Sequence, residues 1–336
     1  MSKEFEPRIV ALLCRWCASA GADLAGVSRI KYPENVHPIR VNCSGRMDPL
    51  FILRALEVGA DGIMLGACHP GDCHYVSGNI KMKKRFDFFM KILHEMGIDD
   101  RIELQYVSAS EGQKFANVTK EFVKKLKSLG PSPFSKDTEL LNLSYSENKR
   151  KKEVFFELLN KIATTLDYTP TEPFLIDSEE TMEGWGFPKR DTDKCIGCYT
   201  CMNTCPENVI TINDVDNKRV FGSFSHYCIS CKKCQDACPE DALEVVDGFE
   251  LMSFLNAVPL PDIEHELQEC KICKTHFAPV KHIEHVEKRV RESVHALNLP
   301  ENQFDICPDC KRKFISDKFM INAQHIPLLF QRGKTE

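Results

Sequence analysis

The sequence predicts three successive domains: an α/β domain with a parallel sheet, a small α+β domain organised around cysteines, and a short C-terminal cap that also carries cysteines. Three observations lead to this prediction. Short apolar runs alternate with amphipathic helical patterns over residues 1–130. Two cysteine runs of identical spacing follow, and two separated cysteine pairs come last. All 17 cysteines of the 336-residue chain fall within these three regions.

The first domain, residues 1–130, has the pattern of alternating strands and helices. Apolar runs predict strands at residues 9–13, 36–41, 62–67 and 102–107. Three helices are predicted between or after these strands. The first begins at Asp48 with Pro49, and the second extends from Ser77 to Gly97. The third begins at a capping box of Ser110 and Gln113 and ends at Gly130. Strands separated by helices favour right-handed βαβ units. We therefore predict an α/β fold with a flavodoxin-like parallel sheet.

Residues 131–190 contain no cysteine and are predicted to be a helical and extended linker. One helix is predicted over residues 147–166, and it opens with the basic run 149–152. Such a run could contact nucleic acid, but apolar residues at helical spacing favour an ordinary helix with one solvated face. The segment after the helix has prolines, glycines and acidic residues with little periodicity, which predicts extended chain.

Both cysteine runs obey the pattern C-x2-C-x2-C-x3-C-P, which is the spacing of bacterial two-cluster ferredoxins. In that arrangement the fourth cysteine of each run binds the cluster of the other run. The predicted ligands of the first [4Fe–4S] cluster are Cys195, Cys198, Cys201 and Cys238. The predicted ligands of the second [4Fe–4S] cluster are Cys228, Cys231, Cys234 and Cys205. Residues 191–250 are thus predicted to form a ferredoxin-like α+β domain that transfers single electrons.

Five cysteines belong to the first domain: Cys14, Cys17, Cys43, Cys68 and Cys73. Cys14, Cys43 and Cys68 each follow a predicted strand. The carboxyl ends of parallel strands meet at one edge of the sheet, so these thiols are expected to converge there. Five converging cysteines favour a metal cluster, although Cys14 and Cys17 alone also have the spacing of a thioredoxin-like dithiol.

Four segments of the first domain resemble the delta subunit of methyl-viologen-reducing hydrogenase: CRWCASAGADLAGVSRIKYP, VNCSGRMDP, GACHPGDCHYVSGN and VSASEGQKFA. The resemblance implies a [2Fe–2S] cluster held by four of the five cysteines, without indicating which four. It also implies electron transport in anaerobic metabolism of the methanogenesis type, between a hydrogenase or formate dehydrogenase and the flavin-containing subunit of an electron-bifurcating heterodisulfide reductase. The added ferredoxin-like domain implies a different or additional partner and leaves the direction of electron flow open.

The C-terminal cap, residues 251–336, contains two cysteine pairs: Cys270 with Cys273, and Cys307 with Cys310. Four thiolates in this arrangement suit a closed, tetrahedral structural zinc site. We therefore predict a small zinc-ribbon-like cap, with a further iron–sulfur cluster as the alternative.

Several classes of function are disfavoured by the sequence. The start has no secretory leader pattern and no window of 18 apolar residues occurs, so we expect a cytoplasmic protein with no membrane span. The formal charge of −5 gives no reason to expect nucleic acid. Neither a nucleophile–base pair nor a Walker or dinucleotide motif is present, which predicts a non-catalytic electron-transfer subunit. The alternatives are a self-contained thiol–disulfide oxidoreductase, which would use Cys14 and Cys17 with electrons from the ferredoxin clusters, and a metal-stabilised scaffold.

Overall fold

A four-stranded parallel sheet organises the N-terminal part of the chain in the computed structural model, which describes residues 5–134, 150–176, 184–293 and 303–313. The strands are β1 Ile9–Cys14, β2 Val36–Val41, β3 Gly62–Ala67, β4 Ile102–Tyr106, β5 Leu175–Ile176, β6 Gly186–Arg190, β7 Ile210–Val215, β8 Lys218–Ser223, β9 Leu243–Asp247, β10 Phe249–Glu250, β11 Leu260–Glu269 and β12 His276–Pro279. The helices are α1 Ala18–Val27, α2 Pro49–Glu57, α3 Gly78–Glu95, α4 Gly112–Leu129, α5 Lys151–Thr165, α6 Thr200–Thr204, α7 Lys233–Asp236, α8 Leu251–Asn256 and α9 Val280–Ser293.

Two compact units divide the chain. The first unit comprises residues 1–187, 224–231 and 246–259, and the second comprises 188–223, 232–245 and 260–336. None of the helices in the described residues is long and apolar enough to cross a bilayer.

The parallel sheet has the strand order β2-β1-β3-β4, and the prediction of four parallel strands in this region is confirmed. This order equals that of the first four strands in the flavodoxin-like arrangement. All six residues of β3 are buried, as expected for a strand with helices on both faces. Helices α2 and α3 supply Leu53 and Phe89 to the core on one face, and α1 and α4 supply Ala22 and Phe122 to the core on the other.

Two of the three predicted helix starts agree with the structure, at Asp48 and Ser77. The Asp48 side chain accepts a hydrogen bond from the Leu50 N–H at 3.1 Å and caps α2. Ser77 precedes α3 but its side chain makes no capping hydrogen bond. The capping box predicted for α4 was wrong: the Ser110 hydroxyl instead pairs with another serine, and Glu111 occupies the cap position.

Helix α5 belongs to the first unit and packs against α2. Its apolar face is buried, as the sequence predicts, and the predicted residues before 150 lie outside the described part of the chain. Phe155 of α5 contacts Trp185 and Phe254 edge to face at centroid distances of 5.0 and 5.9 Å. Strands β5 and β10 pair beside this aromatic cluster. The expected linker residues therefore contribute to a hydrophobic core.

The second unit contains an antiparallel sheet of order β12-β11-β8-β7. The hairpin of β7 and β8 lies between the two cysteine runs. Its turn residues Asp216 and Asn217 both have positive φ, at 48° and 62°, which suits a tight hairpin. Helix α9 packs on β11 and β12, so the second unit combines small helices with an antiparallel sheet.

Candidate metal centres

The five cysteines of the first unit lie at one edge of the parallel sheet. Cys14 ends β1, Cys43 follows β2 and Cys68 follows β3. These strands are neighbours, because β1 lies between β2 and β3. Cys17 is the cap residue of α1, and Cys73 lies in the loop between β3 and α3. The sheet topology alone therefore directs all five thiols toward the same region.

The thiols of this edge form two close pairs. The Sγ atoms of Cys14 and Cys68 are 3.6 Å apart, and those of Cys43 and Cys73 are 4.0 Å apart. Cys17 joins the first pair, since the Sγ atoms of Cys14, Cys17 and Cys68 all lie within 4.8 Å of one another. Two thiolates on one tetrahedral metal with bonds of about 2.3 Å lie about 3.8 Å apart. The spacing of each pair thus fits two ligands of a single metal ion.

Burial and backbone donors give these thiols different acidities. Burial raises the pKa of Cys68 strongly. Burial also opposes ionisation of Cys73, but hydrogen bonds from the backbone N–H groups of Asn79, Tyr75 and Gly78 outweigh it and lower the pKa of this thiol. Hydrogen bonds from several N–H groups stabilise the thiolate form of a cysteine, which is the form that binds a metal.

Two glycines lie beside the pair of Cys43 and Cys73, and neither was predicted from the sequence. The Gly45 N–H donates to the Sγ of Cys43 at 3.3 Å. A methyl group at Gly78 would overlap the Sγ of Cys43 and lie 3.2 Å from the Sγ of Cys73. Gly78 must therefore be glycine for the two thiols to occupy these positions. The sequence feature that could have indicated these glycines is the Ser-Gly dipeptide that follows each of the two cysteines.

Aromatic side chains surround the same edge. The Trp16 ring stacks on His74 at 3.9 Å, and its indole N–H donates to the Tyr75 hydroxyl at 3.4 Å. Val76 is 82 % exposed and has a φ of +67°, a strained conformation for a β-branched residue. Such strain is often found at functional sites, and the exposed apolar groups suit contact with another protein.

In the second unit, four cysteines line one cavity: Cys195, Cys198, Cys201 and Cys238. Three come from the first cysteine run and one from the second, which is the set that the crossover of a two-cluster ferredoxin requires. Burial raises the pKa of Cys195, and the Gly197 N–H partly opposes that effect. Arg190 also lines this cavity. It was not predicted from the sequence, because a lone arginine before the first cysteine belongs to no motif.

The other four ferredoxin cysteines are divided between the two units. Cys228 is buried and Cys231 exposed in the first unit, whereas Cys205 is half-buried and Cys234 buried in the second. The ammonium group of Lys152 donates to the Cys228 carbonyl and lies 4.8 Å from the centre of the Trp185 ring. Burial lowers the pKa of Lys152 to about 8.

The four C-terminal cysteines come together in the second unit. The Sγ atoms of Cys270, Cys273, Cys307 and Cys310 all lie within 4.8 Å of one another. The Sγ atoms of Cys273 and Cys307 are 3.7 Å apart, close to the sulfur–sulfur spacing of about 3.8 Å expected for two thiolates on a tetrahedral zinc ion. The Cys307 N–H donates to the Sγ of Cys270 at 3.3 Å. Burial opposes ionisation of Cys270, but this donor and other backbone N–H groups lower its pKa to about 6.

Comparison with known families assigns two parts of the chain. Residues 9–130 match the family described as methyl-viologen-reducing hydrogenase, delta subunit. Residues 194–242 match the 4Fe-4S dicluster domain family. The prediction of two [4Fe–4S] clusters is thereby supported at the level of the domain.

Individual relatives cover the first of these parts. An iron–sulfur subunit of the F420-non-reducing hydrogenase of Archaeoglobus profundus is 49 % identical over 137 residues, which is 40 % of this chain and all of the relative. The corresponding subunit of Methanococcus voltae is 45 % identical over 139 residues, or 41 % of this chain and 96 % of the relative. One subunit of the ferredoxin/F420H2-dependent CoB–CoM heterodisulfide reductase of Methanosarcina acetivorans is 48 % identical over 126 residues, but these are only 16 % of that protein.

Proposed function

Because the chain belongs to the family of methyl-viologen-reducing hydrogenase delta subunits, we propose that it links a hydrogenase, formate dehydrogenase or similar oxidoreductase to the flavin-containing subunit of a heterodisulfide reductase-type complex. It is an iron–sulfur electron-transfer subunit, and catalysis belongs to its partners. The observation that carries this proposal is the convergence of five cysteines at the carboxyl edge of three adjacent parallel strands. The match of the first domain to part of a heterodisulfide reductase subunit supports a partner of that kind.

The first domain would hold a [2Fe–2S] cluster through four of its five cysteines. The two close pairs favour Cys14 and Cys68 on one iron and Cys43 and Cys73 on the other. These four thiols are buried, whereas Cys17 is half-buried. The exposed Trp16 and Val76 beside the site support docking of a partner at this edge.

The ferredoxin-like domain would hold two [4Fe–4S] clusters. The cavity that four cysteines share supports the first ligand set: Cys195, Cys198, Cys201 and Cys238. The second set rests on the sequence repeat: Cys228, Cys231, Cys234 and Cys205. When bound, the clusters supply one-electron transfer. The proposed functional domains are 1–130, 191–250 and 251–336, with 131–190 as the linker.

The C-terminal cap would hold one structural zinc through Cys270, Cys273, Cys307 and Cys310. The close approach of the four Sγ atoms and the N–H donors to them support a closed thiolate site. In this proposal the zinc stabilises a ribbon-like cap and takes no part in electron transfer.

The alternative function is a thiol–disulfide oxidoreductase that uses Cys14 and Cys17. A reactive dithiol requires a lowered thiol pKa. Burial instead raises the pKa of Cys17, which disfavours a reactive dithiol.

Quantitation of iron, sulfide and zinc in the anaerobically purified chain, together with EPR of the reduced form, tests these proposals. We expect about ten irons, from one [2Fe–2S] and two [4Fe–4S] clusters, and about one zinc. About eight irons with a titratable Cys14–Cys17 disulfide would support the alternative. About fourteen irons without zinc would replace the zinc with a further cubane.

The electron path is tested by mixing the reduced chain with the purified flavin subunit of a heterodisulfide reductase-type complex and following flavin absorbance. We expect flavin reduction by the wild-type chain and a loss of at least tenfold in rate for Cys43→Ser. Equal rates would exclude the first domain from the path.

A further inference from the structure

Arg190 is a buried charged residue at the end of β6. It is 5 % exposed. Its Nη1 forms an ion pair with the Asp262 carboxylate at 2.6 Å, and its backbone N–H donates to the same carboxylate at 3.1 Å. Its guanidinium lies 5.1 Å from the centre of the Phe221 ring. These contacts hold the side chain in one position.

Arg190 has two further buried donors beside the cysteine cavity that it lines. Nη2 donates to the Sγ of Cys201 at 3.3 Å. Nε is buried and has no hydrogen-bond partner among the described residues. Since Arg190 lines the cavity that four cysteines share, an acceptor there would satisfy this N–H. A buried donor without an acceptor is costly, so the geometry fits an anionic group in the cavity.

The fixed positive charge of Arg190 would shift the reduction potential of a nearby cluster upward. A guanidinium stays protonated at all relevant pH values. Beside thiolate ligands it stabilises the reduced state, which carries one more negative charge, more than the oxidised state. Hydrogen bonds to cluster sulfurs act in the same sense.

We propose that Arg190 is a positioning residue that raises the reduction potential of the [4Fe–4S] cluster held by Cys195, Cys198, Cys201 and Cys238, through its hydrogen bond to the Cys201 sulfur and its buried positive charge. This inference rests on the proposed function, because it requires that cluster. One electron enters the cluster on reduction, and Arg190 neither gains nor loses a proton. Asp262 orients the guanidinium and offsets part of its charge.

Redox titration of the cluster-loaded full chain, monitored by EPR, tests this inference with three variants. We expect Arg190→Gln to lower the equilibrium constant for reduction of one cubane at least tenfold, which lowers its midpoint potential by about 59 mV for one electron. The midpoint potential of the other cubane should stay unchanged. Arg190→Lys keeps the charge and should restore part of the shift. Asp262→Asn removes a neighbouring negative charge and should raise the same midpoint.

Arg291→Gln is the control, since Arg291 lies on the surface of α9, pairs with Glu287 of the same helix at 2.7 Å and does not line the cavity. It should move neither midpoint. Unchanged midpoints in both Arg190→Gln and Asp262→Asn, with both cubane signals present, would overturn the role of Arg190 alone. If the Arg190→Gln variant loses a cluster, the Asp262→Asn variant decides: a cubane midpoint potential that does not rise in that variant would overturn the role of Arg190. A wild-type chain without cubane signals would overturn the proposed function itself.

Discussion

The Sγ atoms of Cys14 and Cys68 lie 3.6 Å apart although 54 residues separate them in the chain. Strands β1 and β3 are parallel neighbours, with Leu13 paired to Gly66. Both cysteines therefore leave the sheet at the same edge and at the same level. A rigid sheet, and not a flexible loop, sets this distance, which is an advantage for a site that must hold a metal in fixed geometry.

Substitution of single thiols separates ligands from the fifth cysteine. We expect Cys43→Ser to remove the [2Fe–2S] EPR signal and leave both cubane signals, because Cys43 belongs to a close thiol pair. Cys17→Ser is the matched variant and should retain the cluster, since Cys17 is half-buried whereas the other four cysteines are buried. A persistent signal in Cys43→Ser would show that Cys43 is not a ligand.

Gly78→Ala should lower the [2Fe–2S] content without affecting the other centres. The added methyl group would overlap the Sγ of Cys43. Gly26→Ala is the control, because a methyl group there meets no atom within 4 Å and alanine favours a helix by about 0.5–1 kcal/mol. Iron analysis and EPR measure both variants. Full cluster content in Gly78→Ala would mean that the thiol pair shifts freely.

Cys307→Ser should remove about one zinc per chain and leave the iron content unchanged, because its thiol is 3.7 Å from that of Cys273. Asp309→Ala is the control: it lies between two cysteines but offers no thiol, and its carboxylate forms an exposed ion pair with Arg312. Metal analysis of both variants distinguishes the centres. Loss of iron in Cys307→Ser would indicate a cluster at this site.

Asp48→Ala should destabilise α2 by about 1 kcal/mol, the usual cost of losing a side-chain helix cap. Asp48→Asn keeps an oxygen acceptor for the Leu50 N–H and should cost less. Hydrogen–deuterium exchange of the α2 amides measures the difference. Equal exchange in the two variants would assign the effect to the ion pairs of Asp48 with Lys151 and Arg85 instead of the cap.

Local patterns predicted much of the fold. The strand over residues 62–67 was predicted with the bounds that the structure has, because an uninterrupted apolar run between turn signals identifies a buried strand. The predicted bounds 36–41 also agree with the structure, although most of that strand is exposed. The start of α4 was not predicted correctly. Its cap, Glu111, also accepts a hydrogen bond from the Ser108 N–H and pairs with His69, 42 residues away, and the pairing with His69 is not visible in a local pattern.

The sequence by itself determined the alternation of strands and helices, the grouping of the cysteines and the two-cluster ferredoxin spacing. Each of these depends on residues that are close in the chain. Only the tertiary structure decided that Cys14 pairs with Cys68 and Cys43 with Cys73, that Gly78 leaves room for a thiol pair, and that Arg190 reaches Cys201. Such contacts depend on strand order and side-chain direction, which are set by the packing of segments distant in sequence.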